Sequence, residues 1–474
     1  MRNLDKFPGR DIKNDILSMV QEKLSGRSWP PGPNEDPLVL NAMSIGILSA
    51  RLQLSLYPAA VSARDYAEEL VRNHLRMLYS VHHDLHTIMT GSSPEPLVAE
   101  ASALIMNYVL ESRKPYMELW TLLWQYIDHG LAAQGAIGEL IGRALSISAM
   151  DRAINSLVSK QDNPNCELLY QTPVTVTDYY KALLTKDAWE ELRHTLPANY
   201  VQLDTAVAEI TFEKAFEKGY FHFSHYGQAN DISPLQSQYA WAYWLRGTAI
   251  ACQLNQELTD RMTPIYFPDQ GPVSPRSISV NLDQDKTSQS VSPPNVSIQS
   301  AEHLSIFPDG TKLPYIAAVH CYALTDSDMG IKPEPGPSER LQQTRKLRSS
   351  LGNSEAPRYQ INFYGLNAYD GIAEEERAII RRMIDRSKDA LFANHPREYG
   401  VPSVRQMLPL LSRDPDAMKW IAGSNQDTAS GRVNPGTSLK RALPATATSS
   451  STAVPTSAAG SRGQKRKKMS GSQV

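Results

Sequence analysis

The 474-residue sequence has few cysteines and lacks the common glycine-rich phosphate-binding loops. Its three cysteines, Cys166, Cys252 and Cys321, are too few and too scattered for a disulfide framework or a zinc ribbon. Neither a GxxxxGKS/T nor a GxGxxG segment occurs, so the commonest nucleotide-binding loops are excluded. These absences argue against a disulfide-stabilised secreted domain and against a P-loop enzyme.

A long uncharged apolar run is also lacking. Residues 1–15 are polar and do not resemble a signal peptide, and the most apolar early window, residues 38–61, contains Arg51. A charge at that position favours a buried helix over a bilayer span. We therefore expect an intracellular protein that is neither secreted nor membrane-spanning, with no membrane partner.

Charge is divided unevenly along a chain whose formal net charge is −2. Residues 425–474 hold eight basic residues and one acidic residue, so this tail carries +7 and the rest of the chain −9. The tail contains the basic cluster Lys465, Arg466, Lys467 and Lys468. Such a cluster is typical of a nuclear-import signal, and it would equally attract an acidic partner or nucleic acid.

Hydrophobic periodicity predicts an α+β or α/β protein with a helical N-terminal region and a small mixed sheet flanked by helices. Helices are expected at residues 63–89, 135–160 and 236–256. The predicted organisation is an N-terminal arm (1–35), a helical region (36–130), an α/β domain (131–400) with a mobile loop (326–356), a short helical extension (401–422) and a disordered basic tail (423–474).

The most informative stretch is a predicted hairpin in the α/β domain. Asp260 precedes a strand at residues 262–267, and a second strand follows at residues 278–283. A metal-dependent nuclease core presents an acidic ligand in this way, and a structural hairpin at a sheet edge has the same pattern. Residues alone leave both interpretations open.

A second acidic residue, Glu139, lies on the long helix predicted at residues 135–160. The small residues Gly138 and Gly142 beside it would let another element approach this helix closely. Glu139 and Arg143 are one turn apart, so an ion pair along the helix is an alternative role for the glutamate.

Five segments follow one another in the chain, at residues 138–153, 173–179, 246–265, 313–316 and 358–365. In their order and spacing they resemble a large family that is expanded in mushroom-forming fungi. The similarity covers roughly residues 40–400. This region of related proteins is similar to the restriction-endonuclease-like PD-(D/E)xK core of Crinkler-type and mobile-element-associated proteins.

The resemblance implies a nuclease-like fold whose site gathers Mg²⁺. In that core a helix Glu, an Asp that opens one strand, and a Q-x-K or E-x-K on the next strand form the site, and the metal stabilises charge on the attacked phosphate. By position, Glu139 and Asp260 match the first two roles.

Two registers compete for the third motif. Gln284-Asp285-Lys286 matches Q-x-K literally, but strand alternation places Gln284 and Lys286 on the apolar face of Ile278, Val280 and Leu282. The opposite face carries Asn281 and Asp283, and only a bulge after Leu282 would return Lys286 to the site. This pattern favours a degenerate site in which Glu139, Asp260 and Asp283 hold a cation.

The sequence therefore favours a degenerate PD-(D/E)xK protein that binds nucleic acid or a protein partner with weak or no hydrolysis. One alternative is an active Mg²⁺-dependent nuclease that uses Glu139, Asp260 and Lys286. The other is a non-enzymatic interaction or scaffold protein that needs no cofactor.

Overall fold

A computed structural model describes residues 12–32, 35–57, 62–81, 88–111, 113–159, 169–199, 203–229, 237–252, 259–287, 307–308, 312–323, 330–333 and 356–393. Within these ranges the chain forms twelve α-helices and eleven strands, which confirms the mixed α+β class. Most of the loop predicted at 326–356 lies outside the described residues. So do the extension (401–422) and the basic tail (423–474) with Lys465, Arg466, Lys467 and Lys468.

We number the helices in chain order. They are α1 (Ile12–Ser25), α2 (Ala42–Leu52), α3 (Ala63–Asn73), α4 (Pro96–Met106), α5 (Leu119–Asp128), α6 (Ile137–Val158), α7 (Val176–Leu183), α8 (Lys186–Arg193), α9 (Thr205–Ala208), α10 (Phe212–Phe216), α11 (Ser237–Leu245) and α12 (Glu374–Ala393).

The strands are numbered in the same way. They are β1 (Arg76–Val81), β2 (Ile88–Ser92), β3 (Val174–Thr175), β4 (Tyr220–Phe221), β5 (His225–Gln228), β6 (Thr248–Ala251), β7 (Arg261–Tyr266), β8 (Ile278–Lys286), β9 (Tyr315–Cys321), β10 (Gly330–Pro333) and β11 (Arg358–Tyr364).

Strands β3 to β11 form one mixed sheet, which is larger than the small sheet expected from the sequence. Its main path runs β10-β11-β9-β8-β7-β4-β3, while β6 also pairs with β7 and β5 pairs with β6. The predicted hairpin is confirmed, because β7 and β8 are antiparallel neighbours. Strand β9 runs parallel to β8 on its other edge, so β8 lies inside the sheet.

Both faces of the sheet are covered, and the two faces of β8 differ in chemistry. Ile278, Val280 and Leu282 pack in one apolar cluster with Trp244 of α11. On the opposite face β8 presents Ser279, Asn281, Asp283 and Asp285, all buried. Helices α6 and α7 cover this polar face, since Asp285 lies against Gly142 and Asn281 bonds to Tyr180. The alternation expected from the sequence therefore holds along β8.

Helix α6 is the long helix predicted at 135–160, and a buried ion pair connects it to α2. Arg51 donates from Nη1 and Nη2 to the two carboxylate oxygens of Asp151, each at 2.7 Å. Arg51 is completely buried, as the sequence predicted for a helix packed inside the protein. One apolar core runs from α1 to α12 and contains residues on both sides of the predicted boundary at residue 130.

Two predicted helices are wrong in their second halves. The helix expected at 63–89 ends with α3 at Asn73, and Leu75, with φ of 55°, turns the chain into the two-stranded sheet β1–β2. The helix expected at 236–256 ends with α11 at Leu245, and Gly247, with φ of 63°, leads into β6. In both places helical spacing continued past a residue of positive φ, and strand pairing decided the conformation.

Among the described residues, none of the helices is both long and apolar enough to cross a bilayer.

Candidate functional site

Asp260 is fixed where β7 begins. Its amide donates to the Asp283 carbonyl at 2.8 Å, and its Oδ2 accepts the Asp285 amide at 2.6 Å. Strand β7 begins at Arg261, whereas its partner β8 continues to Lys286. The last residues of β8 therefore have no β7 residue opposite them. The Asp260 carboxylate accepts the Asp285 amide where a backbone carbonyl of β7 would otherwise do so. The sheet thus holds this carboxylate in a defined position.

Glu139 approaches the same end of the sheet from the first turn of α6. The preceding Gly138 allows this approach, because a Cβ there would lie 3.0 Å from Thr287 Cγ2 at the end of β8. Glu139 also lines a pocket of about 160 Å³ together with Arg143 and Gln228. Arg143 Nε contacts the Glu139 backbone carbonyl at 3.4 Å.

The acidic side chains at this end have raised pKa values. Burial, opposed by Arg143 and reinforced by Asp260 and Asp285, raises the pKa of Glu139 to about 7. Burial, together with the charge of Asp285, raises the pKa of Asp260 to about 6, while Lys286 acts in the opposite direction. The charge of Asp260 therefore acts on Glu139, and the charge of Lys286 acts on Asp260.

Strand β8 contains no bulge between Leu282 and Gln284. Its pairing with β7 is continuous from Ile278 to Asp283, and its pairing with β9 is continuous from Asn281 to Lys286. Gln284 and Lys286 consequently share a face of β8, as alternation predicts. No bulge returns Lys286 to the face of β8 that carries Asp283. Its charge nevertheless lowers the pKa of Asp260.

Gln284 has an unusual environment. Its side chain is 7% exposed, and its Oε1 is buried without a hydrogen-bond partner among the described residues. A buried amide carbonyl without a protein partner costs free energy unless a water or a ligand satisfies it. The sequence pointed to this residue only through the literal Q-x-K match.

Asp283 belongs to a different environment. His320 Nε2 lies 3.0 Å from Asp283 Oδ1, Asn281 donates to Oδ2 at 2.8 Å, and Arg261 Nη1 lies 3.7 Å from Oδ2. Burial would raise the pKa of Asp283, but Arg261 and His320 outweigh burial and hold it below its usual value. Both oxygens of Asp283 are therefore occupied by the protein itself.

Asp285 completes this buried network. Arg261 donates to its two oxygens at 2.8 and 3.0 Å, and Tyr322 donates to Oδ1 at 2.6 Å. The His320 ring stacks on Phe363 at a centroid distance of 4.7 Å and contacts the Tyr369 hydroxyl at 2.7 Å. No motif in the sequence indicated this network, because its members come from strands and loops far apart in the chain.

The predicted ligand set Glu139, Asp260 and Asp283 is thus not brought together. Among the described residues, no three His, Cys, Asp or Glu side chains form a group that could hold a metal ion. Asn281 lies with Asp283 in the network and contacts the Tyr180 hydroxyl at 3.3 Å. The residues that remain at the end of the sheet are Glu139, Asp260, Gln284 and Lys286.

These residues fit a hard divalent cation by chemistry. Two carboxylates and one amide carbonyl supply oxygen ligands, the type that Mg²⁺ prefers, and Mg²⁺ usually keeps several waters as further ligands. Gln284 Oε1 is a further unpartnered oxygen, on the face of β8 opposite the one that α6 covers.

Comparisons with protein-family models, with curated proteins and with solved structures found no match to this chain.

Proposed function

We propose that the end of the sheet where β7 begins and β8 ends is a divalent-cation-dependent nuclease site formed by Glu139, Asp260, Gln284 and Lys286. The observation that carries the proposal is the Asp260 carboxylate, which is fastened to β8 by the Asp285 amide at 2.6 Å. Its pKa responds to Lys286, and that of Glu139 responds to Asp260. Perturbed acids beside a lysine are typical of catalytic sites.

The sequence favoured a degenerate site, because alternation assigned Asn281 and Asp283 to the positions of Gln and Lys. The contacts of Asp283 exclude it as a free cation ligand, since Arg261, Asn281 and His320 already occupy its oxygens. The active alternative uses Gln284 and Lys286 instead, and it is supported by the charge of Lys286, which lowers the pKa of Asp260.

Each residue has a distinct role in this proposal. Glu139, Asp260 and the Gln284 carbonyl would hold Mg²⁺, which stabilises charge on an attacked phosphate and lowers the pKa of bound water. Lys286 lowers the pKa of Asp260 and so favours the ionised carboxylate that binds a cation. Glu139, with a pKa of about 7, can hold or release a proton near neutral pH.

A cleavage assay on the full chain tests this function. Single- and double-stranded DNA and RNA are incubated with the protein in Mg²⁺ or Mn²⁺, and the variants are Asp260→Asn and Lys286→Met. The Asn side chain retains an acceptor for the Asp285 amide, so the fold should survive while the charge is lost. We expect both variants to lose roughly a hundredfold or more in cleavage rate.

Lys186→Met is the matched control, because Lys186 is an exposed lysine on α8, outside the site. It should cleave like the parent protein. A folded parent protein that cleaves none of the four substrates, or cleavage that persists in both site variants, would contradict the proposal.

A further inference from the structure

Arg143 of α6 is a buried cation with few hydrogen-bond acceptors. It is 5% exposed, and among the described residues it forms no ion pair. Its Nε lies 3.4 Å from the Glu139 carbonyl and its Nη1 lies 3.3 Å from the Gln53 carbonyl, and both distances are long for an N–H donor. Its Nη2 has no acceptor in the described part of the chain. Because arginine stays protonated in proteins, this guanidinium has a charge and donors that the fold leaves available.

The other buried arginines show how this protein satisfies such a group. Arg51 and Arg261 each donate to both oxygens of a carboxylate. Arg76 has no carboxylate partner among the described residues, but it donates to four oxygen atoms. Taking a charge out of water costs free energy unless the charge is paired or hydrogen-bonded. Within the described ranges, Arg143 is thus the buried arginine with the fewest acceptors.

Arg143 lines the pocket of about 160 Å³ beside Glu139. Three residues of this pocket also line a larger cleft between α3 and the β1–β2 hairpin, namely Leu54, Ser55 and Gln228. A ligand can therefore reach the pocket through the cleft. The pocket has room for about five water molecules, which is also the space needed by a group of one phosphorus and four oxygen atoms.

The electrostatics of the pocket are set by two side chains. Arg143 and Glu139 are the charged residues among the described residues that line it, and they form no ion pair with each other. Burial lowers the pKa of the Arg143 guanidinium, and the charge of Glu139 opposes this effect. An anion in the pocket would give Nη2 an acceptor and would offset the loss of water around the guanidinium.

We propose that this pocket binds a terminal phosphate group of a nucleic-acid strand, with Arg143 donating to the phosphate oxygens; the inference rests on the proposed nuclease function. The planar fork of a guanidinium matches phosphate oxygens in geometry and in charge. Hydrolysis of a phosphodiester by water leaves a phosphate monoester on one strand end and a hydroxyl on the other, so the proposed reaction itself produces this group. A pocket of about 160 Å³ admits one phosphate group and excludes the backbone of a continuing strand.

The first test measures binding in EDTA, so that neither a metal ion nor cleavage contributes. Isothermal titration calorimetry of the full chain with inorganic phosphate should show binding that Arg143→Gln weakens roughly ten- to a hundredfold, because charge-assisted hydrogen bonds are lost. Ala133→Leu keeps the charge but fills the pocket from its wall, and it should weaken binding to a similar extent. Glu139→Gln should bind phosphate more tightly, because it removes the negative charge beside the ligand.

Oligonucleotides then identify the source of the phosphate group. Fluorescence anisotropy, also in EDTA, compares short single strands that end in a 5′-phosphate, in a 3′-phosphate or in hydroxyls only. We expect one of the phosphorylated strands to bind at least about tenfold more tightly than the hydroxyl strand, and Arg143→Gln to remove this difference.

Arg246→Gln and Ala378→Leu are the matched controls. Arg246 forms an exposed ion pair with Glu95, Ala378 is exposed on α12, and neither lines the pocket. Both variants should bind like the parent protein, and circular dichroism should show every variant folded. If Arg143→Gln does not fold, Ala133→Leu decides the result.

No phosphate binding by the parent protein, an unchanged affinity in the folded pocket variants, or phosphorylated strands that bind no better than the hydroxyl strand would each overturn the inference. Phosphate binding that depends on Arg143, in a protein that cleaves no nucleic acid in Mg²⁺ or Mn²⁺, would uphold the anion site and refute the nuclease function. Cleavage that depends on Asp260 without any phosphate binding would do the reverse.

Discussion

The Arg261 guanidinium is completely buried between two carboxylates. It donates to Asp285 at 2.8 and 3.0 Å and lies 3.7 Å from Asp283. The two acids lie on the face of β8 that α6 and α7 cover. The charge of this one arginine therefore stabilises both buried carboxylates. Its role is structural, and it positions the strand end that carries Asp260.

Replacing Arg261 with Met should therefore strongly destabilise the protein. The variant leaves two buried carboxylates without their main partner, and we expect a loss of about 3–5 kcal/mol in the free energy of unfolding. Urea denaturation followed by fluorescence measures it. Asp285→Asn added to Arg261→Met should recover part of the loss, because the amide has no charge to bury.

Arg193→Met is the matched control. Arg193 forms an ion pair with Glu213 at 2.6 Å, but both side chains are about one-third exposed. Removing this pair should cost much less stability than Arg261→Met, because solvent screens an exposed ion pair. Equal losses in the two variants would contradict the argument that burial makes the Arg261 pair important.

At the scale of elements, the close contact between α6 and β8 depends on two glycines. A Cβ at Gly142 would lie 2.4 Å from Asp285 Oδ1, and one at Gly138 would lie 3.0 Å from Thr287. The small residues of this helix were visible in the sequence. The partner that approaches them was not, because it lies about 140 residues further along the chain.

Gly142→Ala should destabilise the protein although Ala is the better helix former. Helix propensity favours Ala by about 1 kcal/mol, but the new methyl group would meet the Asp285 carboxylate and push α6 from β8. We expect a net loss of roughly 1–3 kcal/mol, measured by thermal and urea unfolding. Gly135→Ala, where a Cβ meets nothing within 4 Å, is the control and should change stability little. A Gly142→Ala variant as stable as the parent protein would refute the contact.

The sequence predicted the β7–β8 hairpin and the long helix α6, because both have clear periodicity. It also named Glu139, Asp260 and the literal Gln284-Asp285-Lys286 as candidate site residues, and these stay predictions. Two facts could not be predicted from local pattern. The Asp260 carboxylate accepts a hydrogen bond from the Asp285 amide. Asp283 contacts His320, which lies on the parallel strand β9, far from β8 in the chain.

At the scale of the whole molecule, buried ionisable groups of opposite kinds limit stability from both sides of neutral pH. Burial raises the pKa of Glu100 to about 7 against the two hydrogen bonds from the Tyr170 amide. Burial lowers the pKa of His225 to about 3. The neutral form of each side chain is therefore the one that the fold accommodates.

The two groups change the stability of the protein with pH in opposite directions. Glu100 contributes stability that is fully present below its unfolded pKa, about 4.5, and is lost as pH rises through about 7. His225 contributes stability that is present above its unfolded pKa, about 6.5, and is lost as pH falls toward about 3. Glu139 and Asp260, with pKa values of about 7 and 6, act in the same sense as Glu100. For these four groups together, stability should be greatest at about pH 4 and should fall as pH rises from about 4.5 to about 7.

Glu100→Gln tests this argument without touching the proposed site. The parent protein should lose stability between about pH 4.5 and pH 7, and the variant should lose less by on the order of 3 kcal/mol, because the neutral amide cannot ionise. Urea unfolding at a series of pH values gives both curves. Glu69→Gln, at an exposed position on α3, should leave the curve unchanged. Parent and Glu100→Gln curves that run parallel from about pH 4.5 to pH 7 would show that Glu100 ionises in the fold without cost.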